Sequence, residues 1–189
     1  LWLLLTPLHA GDKTLPVLGD FFNPFSGFWQ NAESTQADGN IDLRQNLPGL
    51  KGKVDVVWDD MMVPHIFAEN LEDAVMVQGY LHARHRLFQM DIVSRQTAGR
   101  LSEVVGPRTL EADQLIRRRG LPWAVERNWE SLQKSQRTMT LLNAYSAGVN
   151  AYIDGLSQAT LPIEYKLMNF KPEAWSPQRM EYAFSVEAP

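Results

Sequence analysis

The 189-residue sequence has no cysteine. Disulfides, thiolate metal sites and a cysteine nucleophile are therefore excluded within it, and its redox compartment stays open. It has no surplus of positive charge: 18 Lys and Arg stand against 22 Asp and Glu, a formal net charge of −4. That argues against attachment to nucleic acid through phosphate contacts. No apolar run reaches the roughly 20 residues that a membrane-spanning helix needs. A Gly-rich phosphate loop, a G-x-S-x-G elbow, an internal repeat and a low-complexity tract are all lacking. What is present is globular in composition. With 44% hydrophobic and 21% charged residues, the chain falls outside the disordered class. Its length suits one ordinary domain or a piece of a larger one.

Two features point to a piece. The first residue is Leu1, and the segment from Trp175 to Pro189 reads as a helix cut in mid-course. The opening Leu1-Trp2-Leu3-Leu4-Leu5-Thr6-Pro7-Leu8 reads as the tail of a signal peptide or membrane anchor, with a buried N-terminal strand as the alternative. Residues 11–50 read as loop, punctuated by Gly, Pro, Asn and Asp. Phe21, Phe22, Phe25, Phe28 and Trp29 cluster within that stretch. A loop pinned onto a core is the favoured reading; an interfacial belt beside a membrane anchor is the sharper one.

Regular structure begins at residue 53. Lys53 to Trp58 and Val63 to Ala68 read as the strands of a β-hairpin around Asp59-Asp60, with Pro64 at an edge or at a strand's first residue. A long, largely buried helix follows, capped by Asn70 and ended by Gly99. Its adjacent apolar stripes are Val77, Leu81, Phe88, Ile92 and Tyr80, Ala83, Leu87, Met90, and Asp91 and Arg95 form an i,i+4 pair. Helices are expected over Thr109 to Arg119, from Pro122 through Leu132, and over Ser135 to Leu156. In the last, the small residues Ala144, Gly148 and Ala151 let a neighbour approach closely. Leu161-Pro162 opens a connector, and Pro172-Glu173-Ala174-Trp175 the final helix. The expected class is α+β and mostly helical: one hairpin, then four or five helices. Two strands alone do not make a stable sheet, so the hairpin should complete a sheet whose other strands lie elsewhere.

Few residues suggest chemistry. His82 and His85, three apart on the long helix, could share a metal ion, but no carboxylate joins them at matching spacing. A polar seam is the simpler reading. Arg117-Arg118-Arg119 reads as a solvated face or as partners for nearby carboxylates. His65 should pack with one nitrogen satisfied, and nothing selects Ser102 as a nucleophile. Composition and spacing give a helical globular chain and no activity.

The order of short motifs says more. Val54-Asp55-Val56-Val57-Trp58-Asp59-Asp60 with Val63-Pro64-His65-Ile66-Phe67-Ala68 resembles the opening hairpin of the penicillin acylase (penicillin amidase) family. Gly79 to Asp91 resembles that family's first long helix, and Gly99-Arg100-Leu101-Ser102-Glu103 with Gly106 follows as it does there. Tyr145, Gly148-Val149-Asn150-Ala151, Leu161-Pro162 with Glu164, and Pro172-Glu173-Ala174-Trp175 continue the match to about residue 180. Each motif is weak; five in order are specific. Two departures stand out. Met61-Met62 replaces an aromatic residue and a glycine in the hairpin turn, and His85 replaces an aspartate.

The resemblance implies the α-chain portion of an αββα N-terminal-nucleophile hydrolase. An exported precursor would cleave itself into two chains, and the new N-terminal serine of the β chain would be the nucleophile, with its own α-amino group as base. Residues 1–10 would be the export or anchor tail, 11–52 an aromatic-rich leader, and 53–189 the α-chain domain, truncated at its C-terminus. The reaction implied is hydrolysis of a linear amide, releasing the acyl side chain of a β-lactam antibiotic or an acyl-homoserine lactone. No catalytic, cofactor-binding or metal residue falls within the chain on this reading. No cofactor is required, a structural calcium would take its ligands elsewhere, and the partner is the β chain. The competing reading is a non-catalytic helical binding module, a relative without its nucleophile.

Overall fold

A computed structural model describes residues 8–10, 13–15, 18–33 and 47–184. Of the expected export or anchor tail, residues 1–7 lie outside them, as do residues 185–189 of the segment expected to be helical. In chain order the elements are β1 (Leu8–Ala10), β2 (Lys13–Leu15), α1 (Trp29–Glu33), β3 (Val54–Trp58), β4 (Pro64–Ala68), α2 (Leu71–Thr97), α3 (Ser102–Val105), a 3-10 turn (Pro107–Thr109), α4 (Leu110–Arg118), α5 (Leu121–Leu132), α6 (Gln136–Asp154), α7 (Ile163–Met168) and α8 (Pro177–Phe184). Contacts divide the chain into two compact units, Leu1–Asp38 with Leu156–Pro172, and Gly39–Gly155 with Glu173–Pro189.

In the first unit β1 and β2 pair antiparallel, Leu8 opposite Leu15. β2 and α1 correct the expectation of plain loop over residues 11–50. At five residues α1 is too short to hold itself in isolation. It is held from outside. The buried Lys166 ammonium donates to Gly27 O (2.9 Å), Asn31 Oδ1 (2.7 Å) and Ala159 O (2.9 Å), and Asn31 Nδ2 donates to Leu161 O (3.0 Å). Burial pushes the Lys166 ammonium below its ordinary range. Phe21 stacks on Phe28 at 5.1 Å, and Phe28 meets Trp29 at 4.2 Å. The aromatic segment is thus pinned, as expected. Its clasp comes from residues more than 130 positions away, which no local pattern shows.

In the second unit β3 and β4 form the expected hairpin, in register Val54↔Ala68 to Trp58↔Pro64. Pro64 is the first residue of its strand, where its missing N–H costs least. Burial alternates along both strands, so Val54, Val56, Trp58 and Ile66 face inward while Val57 and Phe67 face out. The turn needs a left-handed residue, and Met62 supplies it at φ 60°. Asp59 braces the turn, accepting from Met61 N and Val63 N at 2.9 Å each.

Helix α2 starts where Asn70 caps it, its side chain accepting from Asp73 N at 2.8 Å. It stops in a Schellman motif: Arg100 N donates to Arg95 O (2.8 Å) and Gly99 N to Gln96 O (3.0 Å), with Gly99 at φ 62°. A kink at Arg86 (φ −141°, ψ 19°) interrupts it, beside the His85 that departs from the family pattern. The first half buries Val77, Tyr80, Leu81, Ala83 and Leu87. The second half buries Asp91, Ser94, Arg95 and Thr97 instead, so the apolar face stops short of the expected Ile92.

Against α2 lies α6, and two glycines set the approach. A Cβ on Gly148 would lie 1.9 Å from Met76 O, and one on Gly79 would lie 2.2 Å from Tyr145 O. Only hydrogen fits at either contact. Leu47, Met76, Val77, Tyr80 and Leu81 form the core here, covered by the inner hairpin face and by Ala144, Ala151 and Tyr152.

Among the described residues five helices of eight or more residues follow the hairpin, with the short α3 and α7 between them. The final one begins at Pro177 rather than Pro172. Asn150 holds the Trp175 peptide in place of a helical turn, accepting from Trp175 N (2.7 Å) and donating to Trp175 O (2.8 Å). Ser176 then caps α8 through Arg179 N (3.3 Å), with Pro177 in the first turn.

Candidate functional site

The polar end of α2 builds a dense network of charge in the second unit. Asp91 and Arg95 point the same way, one turn apart, and are almost fully buried. Arg95 Nε donates to Asp91 Oδ1 (2.8 Å), which makes the expected i,i+4 pair. Arg95 also reaches Glu103 (3.1 Å) and Glu173 (3.0 Å). Arg100 joins the same two carboxylates, at 2.8 and 3.1 Å. From α8, Arg179 Nη2 donates to Asp91 Oδ1 (2.6 Å) and Ser94 Oγ (3.0 Å) while its guanidinium lies 4.7 Å from the Trp175 ring. Burial alone would raise the Glu173 carboxyl, but Arg95, Arg100 and Arg179 together hold it below the usual carboxylate range. Hydrogen bonding to Glu103 raises the Arg100 guanidinium further.

A cleft of about 440 Å³ opens beside this network, lined among others by Ser94, Arg95, Arg100, Arg117, Glu126, Arg179 and Tyr182. Arg117, from the basic run, donates to Gly99 O at 2.9 Å and so ties α4 to the end of α2. Arg118 reaches Gln114 at 3.4 Å. Arg95, Arg100 and Arg179 are paired with Asp91, Glu103 and Glu173, and Arg117 acts on the Asp113 carboxylate, so these charges are committed within the fold. Ser94 Oγ is committed to Asp91 O (2.9 Å), and no histidine lines the cleft. The arrangement locks helices together and offers no nucleophile–base pair.

The remaining candidates lie apart. Ser102 N and Leu101 N donate to Asp113 Oδ2 (2.7 Å) and Oδ1 (2.9 Å). Burial would raise Asp113, but the Ser102 hydroxyl and N–H, Leu101 N–H and Arg117 lower it on balance. Ser102 is thus a helix start held by a carboxylate one helix on, a contact its neighbours in sequence do not signal. His82 Nδ1 lies 2.9 Å from the Tyr145 hydroxyl, and His85 sets its ring edge against Trp58 at 5.4 Å. Burial lowers both imidazoles, most simply for His82, and pushes the Tyr145 phenol up to about 12. The two histidines turn to different partners, and among the described residues no three His, Cys, Asp or Glu converge to hold a metal ion. His65 lies 3.3 Å from Asp59 and is exposed, so its nitrogen is satisfied but it does not pack.

Comparison with known proteins completes the picture. The family model described as penicillin amidase matches residues 53–188. Penicillin acylase 2 proenzyme of Pseudomonas sp. (strain SE83) is 42% identical over 132 residues, 70% of this chain and 16% of its own length. Acyl-homoserine lactone acylase QuiP of Pseudomonas aeruginosa is 32% identical over 142 residues, 75% of this chain and 16% of its own. The chain therefore spans about a sixth of the curated relatives it matches. Among solved structures, thermostable penicillin G acylase from Alcaligenes faecalis superposes with a TM-score of 0.64 at 28% identity, over 71% of each chain.

Proposed function

The chain belongs to the penicillin amidase family, and on that premise we propose that it is the α-chain portion of an exported, self-processing amide hydrolase. Its substrate would be a linear amide, such as a β-lactam antibiotic or an acyl-homoserine lactone, from which it releases the acyl side chain. The nucleophile would be the N-terminal serine of a β chain cut from the same precursor, with the serine's own amino group as base. The family match over residues 53–188 carries this reading, and a relative named as a proenzyme supports the processing step.

On this reading no residue of the chain touches the reacting atoms; its work is to scaffold. The locked α2–α6 crossing and the Asp91–Arg95–Arg179 network give a rigid body. The outward Val57 and Phe67 of the hairpin give a face for the β chain to cover. A structural calcium would take its ligands outside this chain, as the family resemblance implies. Among the described residues no helix is long and apolar enough to cross a membrane. Export would rest on the N-terminal run.

The full-length gene product, expressed with an export signal, tests this by mass spectrometry and N-terminal sequencing. Two co-purifying chains, the larger beginning with serine, are expected. A single uncleaved chain without amidase activity would overturn the reading.

A further inference from the structure

The aromatic loop of the first unit has a use that scaffolding does not explain. From Phe21 to Ala32 there is no charged residue, yet Phe25 is 84% exposed and Trp29 50%. Phe22 is exposed as well. Such a patch usually marks an interaction surface. The loop's polar groups turn inward. Five of its backbone N–H groups donate within the segment, those of Gly27, Phe28, Gln30 and Asn31 to backbone carbonyls and that of Phe25 to Asn23 Oδ1 at 2.9 Å, while those of Phe22 and Asn23 donate to Leu18 O and Asp20 O just upstream. Gln30 Nε2 donates to Pro24 O at 3.3 Å. Backbone that satisfies itself can enter an apolar medium; backbone that needs water cannot. Lys166 makes the platform rigid, with each of its three N–H groups meeting an oxygen. On α7, Ile163 and Leu167 stand four apart and exposed, adding apolar surface to the same unit.

We infer that the loop Phe21–Asn31 is an interfacial membrane-docking site, in which Phe25 and Trp29 enter the headgroup–acyl boundary of an uncharged lipid surface. Aromatic side chains favour that depth. The charge-free stretch matches a zwitterionic bilayer rather than an anionic one, so salt should matter little. The apolar run Leu1–Leu5 ends 16 residues before Phe21, which puts a second apolar segment close to the loop in the sequence.

The inference stands apart from the acylase reading, and the test separates them. The full-length protein, exported behind a cleavable signal that replaces residues 1–8, serves as parent, so that binding reports the loop. Flotation with phosphatidylcholine vesicles should recover the parent equally at low and high salt. Phe25→Asp and Trp29→Ser should each weaken partition by about tenfold, the order expected for one large apolar side chain. Phe25→Tyr should keep it. Chain cleavage and amidase activity, measured in parallel, should stay at the parent level in all three. A parent that does not float, or a Phe25→Asp variant that floats as well as the parent, overturns the proposal. So does loss of chain pairing in Phe25→Asp with vesicle binding unchanged, which would give the loop to a protein interface.

Discussion

Asp73 shows how much one side chain can hold. Burial would raise its carboxyl, but Asn70 Nδ2 (2.7 Å), Lys51 N (3.1 Å) and Gly52 N (2.7 Å) all donate to it and bring it below its ordinary value. A carboxylate lowered by folding stabilises above its unfolded pKa of about 3.9, and that contribution is lost as pH falls through the folded value. Asp73→Asn should therefore cost roughly 1–3 kcal/mol at neutral pH, since it leaves a backbone donor short of an acceptor. It should also flatten the loss of stability below about pH 4. Denaturant titrations of the full-length protein at several pH values check both; an unchanged acid slope would count against this role. Met62 is the opposite case, a residue working against its position. Its φ of 60° suits glycine, which has no Cβ to clash. Met62→Gly should raise stability by about 0.5 kcal/mol after the extra chain entropy of glycine is counted. A lower unfolding midpoint would show that the methionine side chain contributes packing that exceeds its strain.

At the scale of elements, the α2–α6 crossing decides the second unit. With Gly148 1.9 Å from Met76 O at its missing Cβ, and Gly79 2.2 Å from Tyr145 O, neither helix can move toward the other or accept a methyl group. Gly148→Ala should cost roughly 1–3 kcal/mol through forced separation. Gly148→Leu should prevent maturation, seen as an uncleaved precursor on a denaturing gel. Normal processing of the leucine variant would mean that the crossing tolerates repacking. Gly148 and its small neighbours stood out in the sequence because a glycine inside a strong helical pattern calls for a reason. Gly79 did not, because its reason lies on α6. The same holds for Asp113 at the start of α3 and for Asn150 around Trp175.

For the whole molecule, the exposed outer face of the hairpin is the feature with most at stake. Val57 and Phe67 are more than half exposed on a two-stranded ribbon, which is marginal by itself. On the proposed two-chain reading, a Val57→Asp/Phe67→Asp double variant should leave the inner face intact yet block assembly with the proposed β chain. The expected result on size exclusion is unprocessed or dissociated chains, with far-ultraviolet circular dichroism little changed. Wild-type assembly of that variant would place the β chain elsewhere.

The sequence by itself determined the hairpin, the long helices with their Asn70, Ser135 and Gly99 boundaries, the Asp91–Arg95 pair and the ordered motifs that carry the family. These are set by turn chemistry, capping and periodicity, which act over a few residues. Tertiary structure alone decided the rest. Lys166 clasps a loop more than 130 residues upstream, Arg179 closes a network with Asp91 from 88 residues away, and α8 starts late because Asn150 takes the Trp175 peptide. Each is a polar group removed from water, where the free energy of one satisfied hydrogen bond outweighs local preference. Such partners are chosen by where the chain returns in space, a distance that no short window of sequence contains.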